Sequence, residues 1–251
     1  MNEVRIEFLT SAEISAAISE GARTAVLPLG AVEQHGGHLP LSMDADHADE
    51  LAVRVARHLG GALVLPTVRV GYSPHHLGFT GTLSLRASTL ESVCEDYCRH
   101  LAKDGFERIV MFSGHIGNHP VMRDFEVRLT AALAPLTVIV FSDTEAILNA
   151  WRRAADSVAS LGANVGGHAD IAETSVMLAL HPQKVRTDRF VRGYTGKVDQ
   201  QLLDRAFQDG IGAVSANGVL GDPEGASERL GEACLDAVTS LIADYARARG
   251  A

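Results

Sequence analysis

Cysteine is scarce in this sequence, with three in 251 residues. Cys94 and Cys98 lie one helical turn apart and Cys234 stands far from both, an odd count that excludes a disulfide framework and points to a reducing compartment. Positive charge is also in deficit. Lys and Arg number 22 against 31 Asp and Glu, a formal net charge of -9 with no basic run, so a nucleic-acid partner has no electrostatic footprint to bind. No apolar run approaches the roughly 20 residues that cross a bilayer, which excludes a membrane-spanning segment. The opening MNEVRIEFLTSAEI has neither the positive start nor the apolar stretch of a secretory leader. Repeats, low-complexity stretches and linkers are missing too. What remains is 46% hydrophobic and 21% charged, the balance of one globular domain over 1–251 with a single sizeable core and a cytoplasmic address.

The patterning alternates strand and helix. Thr24–Leu29 is continuously apolar, as expected of a central strand covered on both faces. From Asp46 to Leu59 the apolar positions Ala48, Leu51, Val55 and Leu59 follow helical spacing until Gly60-Gly61 ends it, and Ala62–Leu65 reads as a short strand. An amphipathic helix is predicted over Ser88–Lys103, where Cys94 and Cys98 pack as small hydrophobes. Strand Arg108–Phe112 runs into a glycine turn before Pro120 opens a helix through Leu133. Strand Leu136–Phe141, helices Glu145–Leu161 and Ile171–Leu180, and a C-terminal helix Ala226–Arg247 follow. The polar stretch Thr187–Asp209 carries no clear pattern, and 213–223 reads as a strand and turn. Such alternation predicts an α/β fold whose strand ends gather at one edge of a parallel sheet.

The chemistry concentrates in glycine-rich turns. The stretch 27–46, LPLGAVEQHGGHLPLSMDAD, presents Glu33, His35, His38, Asp44 and Asp46. Glu33 and His35, two apart, share a side if the backbone is extended, although Asp44 or Asp46 can equally cap the following helix. His75 and His76, in the irregular segment 71–84, either face a substrate or sit on a long surface turn. His115 follows the strand at 108–112. His168 closes a third glycine turn, and Glu173 falls in the first turn of the next helix, where it either complements the helix dipole or faces the cleft. The lone Trp151 lines an entrance or packs in the core. A donor set of imidazole and carboxylate without cysteine suits zinc, manganese or iron in an open site. Two ions a few ångströms apart could share a carboxylate, for which Asp44 is the choice. No G-x-S-x-G elbow occurs, so a serine hydrolase has no nucleophile in place.

The stretches 27–46, HHLGFTGTLSL at 75–85, SGHIGN at 113–118, GGHADIAETSVMLAL at 166–180 and NGVLGDP at 217–223 closely resemble the creatininase (creatinine amidohydrolase) family, in that family's order. The resemblance implies a single-domain three-layer α/β/α sandwich with a mostly parallel central sheet. It also implies a pair of divalent ions (Zn, Mn or Fe) held by Glu33, His35, bridging Asp44 and His115, with Glu173 as fifth ligand because Gly117 stands where creatininase has an acid. His168 matches the family's proton shuttle, and Glu173 joins it as a catalytic residue. His75, Ser113, Ile116, Gly117, Asn118 and Trp151 would line the substrate site. The expected partner is a small-molecule amide, with neither nucleic acid nor membrane involved, and the resemblance implies a homo-oligomer, the family often being hexameric. Ser113 replaces the usual Asn, Ile116 a Gly or Tyr, and Asn164 a gating tryptophan, which argues against creatinine itself. The implied reaction is hydrolysis of a non-peptide C–N bond, in a cyclic amide above all, by a metal-activated water. Cleavage of a formamide, as by the family's nucleotide deformylase, or trimming of a peptide, as by its mycofactocin-precursor peptidase, is the alternative. Arg69 and Arg86 are the only basic residues near the two early motifs, which leaves a phosphate-bearing substrate unsupported. A relative that binds metal or ligand without catalysis is the reading from another class, and retention of His168 weighs against it.

Overall fold

The computed structural model describes residues 3–251. Four strands, β1 (Thr24–Leu29), β2 (Ala62–Val64), β3 (Arg108–Ser113) and β4 (Thr137–Val140), form one sheet in the order β2-β1-β3-β4. Every pairing in it is parallel, with Thr24 opposite Arg108 and Leu29 opposite Ser113. A separate antiparallel pair joins β5 (Val165–His168) to β6 (Leu220–Gly221).

The period-two alternation of each strand divides the core into two layers. Val26, Val110, Phe112 and Ile139 face a layer formed with α2 (Met43–Leu59), α6 (Thr144–Ala159), α7 (Ile171–Leu180) and α9 (Glu228–Arg247). Ala25, Leu27, Ile109 and Met111 face the opposite layer, formed with α1 (Ser11–Ser19), α3 (Ala87–Cys98) and α5 (His119–Ala132). Both faces are covered, which is why these strands read as unbroken apolar runs. The result is the expected three-layer α/β/α sandwich around a parallel sheet. All three cysteines are free and buried in these layers. Among the described residues no helix is long and apolar enough to cross a membrane.

Four local expectations change. The helix predicted over 88–103 is two, α3 and the single turn α4 (Leu101–Asp104). The break at Arg99 and His100 turns the chain so that Leu101 and Phe106 enter the same core layer as Cys94 and Cys98, and Gly105 closes the turn in the left-handed region at φ +105. Helix α2 starts at Met43, not Asp46, placing Asp44 in its first turn. The unpatterned stretch ends in α8 (Gln200–Asp209), capped by Asp199, whose carboxylate accepts from Leu202 N at 3.1 Å. Leu202, Leu203, Ala206 and Phe207 have helical spacing, but only Ala206 is buried, so the period was diluted by polar neighbours. Of the strand expected in 213–223, only Leu220–Gly221 pairs.

Candidate metal centre

Two elements of the sheet aim their carboxyl ends at one place. Beyond Leu29 the chain leaves β1 as a loop rather than the extended strand expected, yet Glu33 and His35 both turn inward and are fully buried. The start of α2 lies directly against the end of β3. A Cβ at Gly114 would come within 2.5 Å of the Asp44 carbonyl oxygen, so only glycine permits this approach. It brings Asp44 over His115, the second residue past β3. The last residue of β5, His168, joins them, and α7 contributes Glu173.

The turn after β5 is held tightly. Asp170 caps α7 through Ala172 N at 2.8 Å and Glu173 N at 3.0 Å, while its other oxygen takes Gly166 N and Gly167 N, both at 2.8 Å. Ala169 sits at φ +51, a strained conformation for a residue with a side chain. Its amide donates to Glu173 Oε2 at 2.5 Å, so the turn that follows His168 also orients Glu173.

The polar atoms pair around Asp44. Its Oδ1 lies 3.2 Å from His35 Nε2, and its Oδ2 lies 3.3 Å from His115 Nδ1. Glu33 Oε1 is 3.2 Å from the same His115 nitrogen, and Glu173 Oε2 is 3.6 Å from His35 Nε2. Ligand atoms about 2.0–2.2 Å from a tetrahedral ion are separated from one another by roughly 3.3–3.6 Å, so these spacings fit metal coordination. Both Glu33 carboxylate oxygens and Asp44 Oδ2 are buried without a hydrogen-bond partner, an arrangement too costly to keep unless a cation satisfies it. Glu33, His35 and Asp44, like Glu33, His75 and His115, each bring three potential ligand atoms within 4.8 Å of one another.

Electrostatics says the same. Burial opposes a charged His35, yet Asp44, Glu173 and Glu33 push its pKa up to about 10. His115 is likewise raised against burial by Glu33 and Asp44. Asp44 is driven well below the carboxylate range, its burial outweighed by His35 and His115. Glu173 is pushed up, by burial first. Carboxylates crowded here draw protons onto their imidazoles, and a divalent ion would take those protons' place. His168 goes the other way: burial and the neighbouring His35 hold it neutral.

The remaining predicted residues separate. His75, Ile116 and Gly117 line a cavity above the cluster, walled by Leu148, Leu203, Phe207 and Leu220. Ser113 and Asn118 do not line it. Ser113 Oγ donates toward the carbonyls of Leu29 and His115, and Asn118 joins Gly30 O, Tyr72 N and Ser113 Oγ, so both brace the loop carrying His115. Trp151 is 1% exposed in the α2/α6 core layer, 5.9 Å from the His47 ring. It lines no entrance, because the apolar face of α6 carries it inward. Asn164 bonds Glu224 O and stands outside the cavity. His38 turns to Thr174 Oγ1 at 2.9 Å, and Asp46 pairs with Arg69 at 2.6 Å and Lys184 at 2.8 Å. An acid at 117 is sterically barred here, since a Cβ would meet His115 Nε2 at 2.2 Å and His75 Cε1 at 2.7 Å, whereas Glu173 already reaches the cluster.

Sequence reasoning passed over three groups. His76, which the sequence places on a long turn with no acid beside it, sets Nε2 3.4 Å from Glu33 Oε1. Gln34, flanked by the two obvious ligands, touches both His76 and His168. The apolar cover from α8 went unseen with the helix itself.

Comparison with known proteins places this arrangement. Residues 7–246 match the creatininase family, described as creatinine amidohydrolase. The chain is 34% identical over 224 residues to the mycofactocin precursor peptide peptidase of Mycolicibacterium smegmatis, covering 87% of this chain and 82% of that protein. It is 30% identical over 253 residues to the creatinine amidohydrolase of Pseudomonas putida, covering 95% and 94%. A solved structure described as creatininase Mn superposes with a TM-score of 0.76 at 30% identity, covering 99% of both chains. A buried cluster of imidazole and carboxylate at the strand ends, a sandwich that superposes along its whole length and a sequence match from residue 7 to residue 246 agree, and the chain belongs to the creatininase family.

Proposed function

We propose that this protein holds two divalent ions, zinc, manganese or iron, and hydrolyses the C–N bond of a small, uncharged, cyclic amide other than a peptide. The observation that carries this reading is the split presentation of Asp44, one oxygen to His35 and the other to His115. Glu33 and His115 with Asp44 Oδ2 would hold one ion, and His35 and Glu173 with Asp44 Oδ1 the other. Bound ions would supply a Lewis acid for the amide carbonyl and bring the pKa of a water toward neutrality. The chain supplies the proton traffic. His168 is kept neutral, with Nδ1 3.7 Å from Glu33 Oε1, so it can take a proton at the cluster and return it to the departing nitrogen. Glu173, fixed by Ala169 N, holds His35 in register.

The cavity supports the substrate class. It is narrow as it stands, about 40 Å³. Its wall is apolar beyond the cluster, and no Lys or Arg is among its lining residues, which disfavours a phosphate-bearing formamide. One observation favours a second reading. Open basins on either side of α8, one reaching Arg123 and one reaching Arg152, share Leu203 and Thr144 with the central cavity and could seat a longer chain, as the peptidase relative would require.

Elemental analysis of protein purified without chelator, with a screen of cyclic amides, formamides and short peptides, tests both. Two metals per chain with turnover of a cyclic amide is the expected result. Turnover of peptides alone would move the assignment to the second reading, and a metal-free protein inactive after manganese, zinc or iron addition would reject both.

A further inference from the structure

Gln34 lies between the two ligands Glu33 and His35 but binds neither, and its side chain is 4% exposed. Its carboxamide nitrogen is 2.9 Å from His76 Nδ1, 3.0 Å from His168 Nε2 and 3.2 Å from Gly218 O. Its Oε1 accepts from Gly36 N at 3.0 Å. That last contact fixes which end is which, because a flipped amide would set two donors against each other at Gly36 and two acceptors at Gly218. The amide is seated deliberately close: a Cβ at residue 218 would lie 2.3 Å from Gln34 Nε2, and Gly218 adopts φ +74.

Counting protons favours one arrangement, whose single unfavourable contact is between two donors, Gln34 Nε2 and His168 Nε2, 3.0 Å apart. His168 Nε2 also stands 2.8 Å from the Gln34 backbone carbonyl. A carbonyl can only accept, so this nitrogen must carry the hydrogen, since two lone pairs at that distance repel. A protonated Nε2 cannot also accept from the carboxamide, whose two hydrogens therefore go to His76 Nδ1 and Gly218 O. A neutral His76 that accepts at Nδ1 has its hydrogen on Nε2, the atom 3.4 Å from Glu33 Oε1. His76 then has no lone pair to give the cluster, although Glu33, His76 and His168 group as closely as Glu33, His35 and Asp44 do.

We propose that Gln34 is a positioning residue that sets both tautomers. Its side chain puts the hydrogen of His76 on Nε2, the atom 3.4 Å from Glu33 Oε1, so that His76 is not a ligand, and its backbone carbonyl turns the free Nδ1 of His168 toward the cluster as a proton acceptor. This rests on the amidohydrolase reading for its purpose but not for its test, because hydrogen positions are read with no substrate present.

Neutron diffraction on perdeuterated crystals of the full chain as purified locates the deuterons directly, and 15N-histidine NMR reads the same atoms in solution. A deuteron on Nε2 of both His76 and His168 is the expected result, and one on Nδ1 of either ring overturns the proposal. The isosteric Gln34→Glu replaces the donor with an acceptor, so the His76 deuteron should shift from Nε2 to Nδ1 while the His168 deuteron, held by the backbone, stays. A His76 deuteron that remains on Nε2 in Gln34→Glu shows that another group sets the tautomer and refutes the assignment. A failed amide screen leaves these outcomes readable.

Discussion

The floor and the cover of the cavity are made of opposite materials. The floor consists of Glu33, His35, Asp44, His115 and Glu173, all buried, carried by the loops after β1 and β3 and by the first turns of α2 and α7. The cover is α8, where Ala206 is the one buried residue and packing is chiefly against the short 3-10 helices Pro74–His76 and Ile211–Ala213. Coordination tolerates little displacement, and the groups proposed for it are buried beside the strand ends. Few buried contacts make local opening cheap, and elements that admit ligands are drawn from such regions. Chemistry and access should therefore be separable by mutation.

Asp44→Asn attacks the floor at its shared residue and has the largest expected effect. Losing one of the bridging charges forfeits several kcal/mol of electrostatic stabilisation, roughly 10³-fold or more in rate. Elemental analysis should show metal content falling together with turnover. A variant that keeps both metals would break the assignment of Asp44 as the bridge. His168→Ala follows, with a loss of about 10²–10⁴ in kcat. Here metal content should not change, because His168 Nδ1 is placed for protons and the ligand set is complete without it. Metal loss in this variant would make His168 a ligand and merge two roles that the geometry keeps apart.

Gly117→Ala tests how tightly the floor is packed. The added carbon would meet both His115 and His75, and displacing a ligand's support typically costs about 10–100-fold in metal affinity. Titration with manganese would measure it. Phe207→Ala tests the cover. Its ring lies 4.3 Å from that of His75 and walls the cavity. Removing it should raise KM by roughly tenfold, the worth of about 1.5 kcal/mol of apolar contact, with kcat and metal content unchanged. A collapse of kcat would mean that α8 helps hold the floor.

The same contrast governs what the sequence made legible. The floor is readable because the proposed coordination demands particular residue types, and His35 and His115 stand beside glycines that announce close backbone approach. The sheet is readable because burial on both faces leaves Ala25–Leu29 and Ile109–Phe112 no polar position. His76 was not readable as part of the cluster, since its partner Glu33 is 43 positions away and only the fold joins them. Trp151 was read as an open choice between entrance and core, and the direction of the apolar face of α6 decides it for the core. The cover is obscure for a physical reason: Gln200–Asp209 buries so little that polar residues mask its period, and what it covers is made by distant turns.

The smallest effect lies where the floor is tied to its surroundings. Asp46, one turn along from the cap of α2, takes hydrogen bonds from Ser42 at 2.8 Å, Arg69 at 2.6 Å and Lys184 at 2.8 Å, joining the start of α2 to the chain that follows α7. Burial alone would raise its pKa, but Lys184, Arg69 and Ser42 outweigh burial and hold it below the ordinary value of 3.8. A carboxyl depressed on folding stabilises the fold above the ordinary pKa and loses that contribution as pH falls through the lowered folded value. Arg69 and Lys184 are both more than a third exposed, so solvent screening limits the contribution to about 0.5–1 kcal/mol. Asp46→Asn should therefore unfold at lower denaturant than the parent at pH 7, and the gap should shrink below pH 4, where the parent's carboxyl takes up its proton. A gap that stays constant down to pH 3 would show that Asp46 contributes through shape and neutral hydrogen bonds. The clamp on the floor would then be independent of charge, unlike the cluster it supports.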